Sequence, residues 1–225
     1  TRMSQWRWQE AGREFQRAIE LNPGYATAHH WYARYLWWSP GRIDEALAEA
    51  KRAQELDPLS LIINTALGEA LGWAGRYDEA IEQFRKTLEL NPNFAPAHQF
   101  LSLPLTQKSM YEEAIAELEK AVSLSGGSAF PLSFLGYVYG VAGRKGEAER
   151  VLDQLQERSK QSYIPASSIV LIYMGLGRKD EAFDWLERSY QAQESLLPLK
   201  VDHMWDPLRD DPRFQDLLRR MNLEP

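Results

Sequence analysis

The sequence predicts an all-α protein built as an array of stacked two-helix units. Three observations carry this. An alanine recurs at Ala11, Ala46, Ala80, Ala114, Ala148 and Ala182, at spacings of 35, 34, 34, 34 and 34 residues, and a fixed period of this size marks a repeat array. The residues ahead of each alanine repeat in kind, as in Ile43-Asp44-Glu45, Tyr77-Asp78-Glu79, Tyr111-Glu112-Glu113, Lys145-Gly146-Glu147 and Lys179-Asp180-Glu181. A Gly-Arg pair precedes most of them, at Gly41-Arg42, Gly75-Arg76, Gly143-Arg144 and Gly177-Arg178.

The first helix of each unit is apolar and aromatic, as in 28–33 and 132–137, and ends at a glycine suited to the left-handed conformation past a helix end. The second is amphipathic: Tyr77, Ala80, Ile81, Phe84 and Leu88 share one helical face. Asn22-Pro23, Asp57-Pro58 and Asn91-Pro92 stop the second helices, because the residue before a proline is pushed out of the helical region. The units then read as 1–24 (incomplete, with a second helix over 9–21), 25–59, 60–93, 94–127, 128–162 and 163–194. A C-terminal cap over 195–225 follows, with a helix at 212–221. Asp211 is its N-cap and Pro212 its first helical residue. Leu208, Phe214, Leu217 and Leu218 would cover the bare end of the array, which a solenoid cannot leave in water. A partner-binding helix is the rival reading of this segment.

Small residues have a packing reason. Ala46, Ala80 and Ala114 on second helices, and Ala33, Gly68, Ser102 and Gly136 on first helices, let a neighbour approach, and Phe84, Leu118, Leu152 and Leu186 are the large partners. Some units depart from the rule. One extra residue falls near Trp38-Ser39-Pro40-Gly41. Lys108-Ser109-Met110 replaces the glycine turn, and Pro104 inside a first helix should bend it or cost about 3 kcal/mol. Gly126-Gly127 reads as a flexible joint.

Leu67-Gly68, Leu135-Gly136, Tyr139, Ala80, Phe84 and Pro92 resemble the tetratricopeptide repeat in type and place. The resemblance covers about residues 9–194 and implies a right-handed superhelix of antiparallel helix pairs. Residues 26–33 and 211–218 also resemble the C-terminal repeat region of large bacterial regulators, in which repeats follow a kinase, cyclase or winged-helix DNA-binding domain. On that basis the chain is expected to be a piece of a longer cytoplasmic signalling protein, and because only residues 1–8 precede the second helix of the incomplete first unit, at least one helix is expected upstream.

In repeats of this family the first helices line a concave groove. Carried over unit by unit, the groove here holds His30, Arg34, Trp37 and Trp38, then Glu69 and Trp73, then Gln99 and Leu103, then Tyr137, with Thr27, Ile62, Thr65, Gln107, Phe130, Ser133, Leu171 and Met174 beside them. The lysine–asparagine–arginine clamp that some members use for a peptide carboxylate has no counterpart: the matching places hold His30 and Arg34, Thr65 and Glu69, Gln99 and Leu103. An aromatic lining suits a peptide or a partner helix. The competing structural role for Trp37, Trp38 and Trp73 is packing between neighbouring first helices.

Little else in the sequence suggests chemistry. The net charge of −6 and a pI near 5.4 give no basic footprint for nucleic acid. No apolar run approaches the ~20 residues that span a bilayer. With no cysteine, disulfides and thiolate catalysis are excluded. His29 and His30 are adjacent and diverge on a helix, and no metal-ligand spacing, phosphate loop or nucleophile elbow is present. His29 and His98 hold equivalent places and read as packing residues. Asp44-Glu45, Asp78-Glu79 and Asp180-Glu181 suit the positive end of a helix dipole, and the recurring Arg42, Arg76, Arg144 and Arg178 read as turn chemistry. The expectation is therefore a non-catalytic interaction scaffold without metal or cofactor. Its partner is a protein or peptide, not nucleic acid or membrane. Two alternatives stand: a substrate-recruiting arm of an enzyme, and self-association through the open first unit around Phe15.

Overall fold

The computed structural model describes residues 8–38, 42–194 and 199–223. The Ser39-Pro40-Gly41 turn lies outside the described residues. Among those residues the regular structure is helical, without a strand. The chain divides into two compact units. The first comprises residues 1–92 and 197–225. It contains α1 (Trp8–Leu21), α2 (Ala26–Trp38), α3 (Ile43–Leu56), α4 (Leu61–Trp73) and α5 (Tyr77–Leu90), then a 3-10 helix (His203–Leu208) and α12 (Pro212–Arg220). The second, residues 93–196, contains α6 (Ala95–Gln107), α7 (Tyr111–Leu124), α8 (Ala129–Val141), α9 (Lys145–Ser159), α10 (Ala166–Gly175) and α11 (Lys179–Gln191). The segment expected to cap the last repeat thus groups with the first unit.

From α1 to α5 and from α6 to α11 every helix packs on the next in sequence, and first helices also pack on first helices: α2 on α4, α6 on α8, and α8 on α10. The repeating alanines form the seam, with Ala46, Ala80, Ala114, Ala148 and Ala182 at most 1% exposed. Phe84 closes against Gly68, where an added Cβ would stand 2.7 Å from its ring. α8 and α10 touch backbone to backbone: a Cβ on Gly140 would lie 2.4 Å from the carbonyl carbon of Gly175.

The turns obey one rule. Gly75, Gly143 and Gly177 have φ of 73°, 78° and 71°. The next amide closes back on the first helix, with Arg76 donating to Leu71 at 2.9 Å, Arg144 to Tyr139 at 2.8 Å and Arg178 to Tyr173 at 2.9 Å. This is the Schellman closure. In the fourth unit Ser109 takes the same left-handed conformation, φ 59°, and Met110 donates to Leu105 at 2.9 Å. The closure thus survives the loss of glycine at the cost of a strained serine. Gly126-Gly127 closes the end of α7: Gly127 N–H donates to Val122 at 2.8 Å, and Arg158 Nη1 reaches the Gly127 carbonyl at 2.7 Å. α6 runs on through Pro104 to Gln107.

The arginines act in the turns. Arg76 Nε and Nη2 grip Glu79 at 2.6 and 2.5 Å, Arg42 pairs likewise with Glu45, and Arg144 with Glu147. Arg178 differs and reaches Glu149 on α9 at 2.5 Å. A second recurring device was not read from the sequence. His29 Nε2 bonds the Pro23 carbonyl at 3.0 Å and its Nδ1 meets Glu49 at 2.5 Å. One unit later Asn64 donates to the Pro58 carbonyl at 2.8 Å and accepts from Gln83 at 2.9 Å. His98 pairs with Glu117. A polar side chain on the first helix thus ties the proline stop to the second helix. The visible signal is a His or Asn six residues after the stop proline.

Two substitutions test this frame. Ser109→Gly should stabilise the chain by about 0.5–1 kcal/mol, since it relieves a positive φ outside the helices. Gly140→Ala should destabilise it by about 1–3 kcal/mol through overpacking. Urea unfolding of both variants beside wild type provides the measurement.

Candidate functional site

Helical spacing aims one set of side chains at a common wall in the first unit. On α2, His30, Arg34, Trp37 and Trp38 follow at steps of four, three and one; on α4, Thr65, Glu69 and Trp73 follow at steps of four. Because α2 and α4 pack together, the two rows meet. Arg34 is the hinge of the wall. Its Nη1 donates to Glu69 Oε2 at 2.9 Å, and its guanidinium lies 5.1 Å from the Trp38 ring centre, 5.8 Å from Trp37 and 5.9 Å from Trp31. Trp37 meets Trp73 edge to face at 4.7 Å.

This wall is covered. Trp37 is fully buried, and His30, Glu69 and Trp73 are 4%, 5% and 8% exposed. Part of the cover comes from the C-terminal segment. Trp73 Nε1 donates to Asp202 Oδ2 at 3.2 Å, across 129 residues of sequence, and the His203 ring stands 6.2 Å from that of Tyr77. Arg209 winds the segment into shape, donating to the carbonyls of Leu199, Lys200 and Asp202 at 3.0, 2.9 and 2.8 Å. Asp202 caps the 3-10 helix through the Met204 amide at 3.0 Å. Trp205, Leu208 and Phe214 are fully enclosed, and the Trp205 and Phe214 rings lie 6.2 Å apart.

The electrostatics of the wall are those of a dry place. Burial, aided by the positive charge of Arg34, pushes His30 down from 6.5 to about 4, so it is neutral at pH 7. Burial also pushes Glu69 upward, against the pull of Arg34 and with the help of Asp202's charge. Asp202 itself is raised by burial, which outweighs its bonds from Met204 and Trp73.

The wall is also unsatisfied. Among the described residues, the buried side-chain polar atoms that lack a hydrogen-bond partner are His30 Nδ1, Arg34 Nε, Trp37 Nε1, Trp38 Nε1, Thr65 Oγ1, Glu69 Oε1, Gln99 Nε2 and Trp205 Nε1. Six of these eight lie on the α2–α4 wall. Buried polar groups are nearly always paired, and each exception costs about 1–3 kcal/mol.

The remaining expected residues belong to the second unit. Gln99 and Leu103 lie on α6 and Tyr137 on α8, with Gln99 and Tyr137 buried and Leu103 half-buried. Phe100, Phe130 and Phe134 form an edge-to-face cluster there, with centroids 5.2–6.4 Å apart. α10 receives a remote cap: Glu194 accepts from the Ala166 and Ser167 amides at 2.8 and 2.9 Å. Partial burial works against the Glu194 anion, but these bonds and those from Tyr163 and Ser189 hold it below the usual carboxylate range. No group of three His, Cys, Asp or Glu among the described residues could hold a metal ion, and no helix there is long and apolar enough to cross a membrane.

Sequence reasoning missed Asp202 and Trp205. The available signal was density: Leu199, Val201, Met204, Trp205 and Leu208 make the stretch too apolar for a solvated linker.

Comparison with known proteins agrees with this architecture. Two tetratricopeptide-repeat family models match, one over residues 2–60 and one over 63–94. Both stretches carry tetratricopeptide repeats. Such repeats are generally protein-interaction scaffolds. Among solved structures, the crystal structure of PilW, a widely conserved type IV pilus biogenesis factor, is 19% identical. It aligns over 94% of this chain and 91% of its own with a TM-score of 0.64. A thermophilic repeat protein from Thermus thermophilus, TTC0263, is 20% identical over 87% of this chain and 96% of its own, with a TM-score of 0.59. A tetratricopeptide repeat protein from Parabacteroides merdae is 16% identical over 96% and 86%, with a TM-score of 0.60. At these identities the likeness is one of fold. No curated protein sequence matches the chain.

His30 gives the site a pH signature. An unfolded His30 titrates near 6.5 and the folded one near 4, so the unfolded chain takes up the proton first as pH falls. Its contribution to stability is full above that window and is lost from about pH 6.5 downward. Between pH 7 and pH 4 the unfolding free energies of wild type and His30→Gln, read from urea unfolding, should shift relative to each other by on the order of 3 kcal/mol in favour of the variant.

Proposed function

We propose that the α2–α4 wall binds an extended segment of a partner protein and that the chain performs no catalysis of its own. The observation that carries this is the concentration of unpaired buried donors and acceptors on that wall. Indole N–H groups and a guanidinium N–H can serve the carbonyls of a peptide backbone. The free oxygens of Glu69 and Thr65 can receive its amides. The Trp rings around Arg34 supply a rigid apolar floor, the type of surface that anchors interfaces. His30, Arg34, Trp37, Trp38, Glu69 and Trp73 are the binding residues in this reading, with Gln99, Leu103 and Tyr137 as a separate set in the second unit. The resemblance of residues 26–33 and 211–218 to the repeat regions of bacterial regulators supports a docking arm within a larger intracellular signalling protein.

The reading is tested with peptides selected from a random display library against the purified chain. Arg34→Gln and Trp38→Phe should each weaken the selected peptides at least tenfold, with far-ultraviolet circular dichroism unchanged. Equal affinity for wild type and both variants would refute the assignment.

A further inference from the structure

We propose that residues 199–208 are a resident ligand of the α4 end of this wall, and that the partner which displaces them offers the same chemistry: a carboxylate three residues ahead of a tryptophan. This rests on the binding reading above and adds to it a gate and a ligand class.

The tail shows what the surface accepts. Asp202 is buried and takes the Trp73 N–H at 3.2 Å, the His203 and Tyr77 rings meet nearly at right angles, and Trp205, three residues after Asp202, is buried with its ring 6.2 Å from that of Phe214 in the same segment. The 3-10 turn that begins at His203 and is capped by Asp202 sets the carboxylate and the Trp205 ring one turn apart. The same tail is an imperfect occupant. Trp205 Nε1 stays unpaired, as do Trp37 Nε1 and Glu69 Oε1 on the wall. The tail also brings a second buried carboxyl, Asp202, toward Glu69, which already holds the one arginine of the wall. A competitor with the same Asp-x-x-Trp core but better-placed acceptors would gain bonds that the tail leaves unmade.

The test uses the full chain and a fluorescein-labelled peptide with the sequence of residues 199–211, read by anisotropy. The wild-type chain, occupied by its own tail, should bind the peptide weakly. Trp205→Ala and, as the milder change, Asp202→Ala in the chain should each raise the affinity at least tenfold. A peptide carrying alanine at both of those places should not bind. Hydrogen exchange at amides 204–211 of the wild-type chain should speed up when peptide is added. Equal peptide affinity for wild-type and both loosened chains, or tail exchange unmoved by saturating peptide, overturns the gate and leaves the binding reading standing. Loosened chains that bind the library-selected peptides but not the tail peptide overturn the ligand class alone. Loosened chains that bind neither overturn the binding reading itself.

Discussion

Phe84 presses on Gly68 so closely that no Cβ could stand between them. The same meeting of a small residue with a large one recurs along the chain, and the rest of the structure depends on it. A two-helix unit of this size has too little interior to bury its own apolar face, so it holds together only by handing that face to the next unit. The close seam fixes the direction of every first helix. Side chains four residues apart on α2 and on α4 are thereby brought into one wall. Gly140 and Gly175 show the limit of the same logic, where two backbones touch and no side chain larger than hydrogen fits.

The polar side chains divide by what this seam does to them. Those at helix starts, such as Arg76 with Glu79, make local pairs at the surface that set the turns. Those at the fourth place of the first helices, such as His29 and Asn64, tie the proline stops to the second helices and are satisfied. Those on the α2–α4 wall are buried and left wanting. A fold that pairs its polar groups so thoroughly elsewhere concentrates unmade bonds in one place, and such concentrations are where binding energy can be gained.

Much of this was legible from sequence. The alanine period, the glycine turns and the proline stops are local signals, each set by the conformation of a few neighbouring residues. They gave the alternation of first and second helices that the structure shows. Ser109 shows where locality misleads: the serine lacks the freedom of glycine, yet the closure from Met110 to Leu105 holds it at positive φ. The wall residues were named by carrying the tetratricopeptide resemblance over unit by unit. Their burial was not, because exposure depends on what arrives from elsewhere in the chain.

The sequence by itself determined the period and the hairpin units, since both follow from the pitch of an α-helix and the chemistry of its ends. Only the tertiary structure decided that the C-terminal segment joins the first unit. The bond from Trp73 to Asp202 joins residues 129 apart. No periodicity encodes such a contact, because it is selected by the fit of a buried carboxylate and an indole and not by any rule that acts between sequence neighbours.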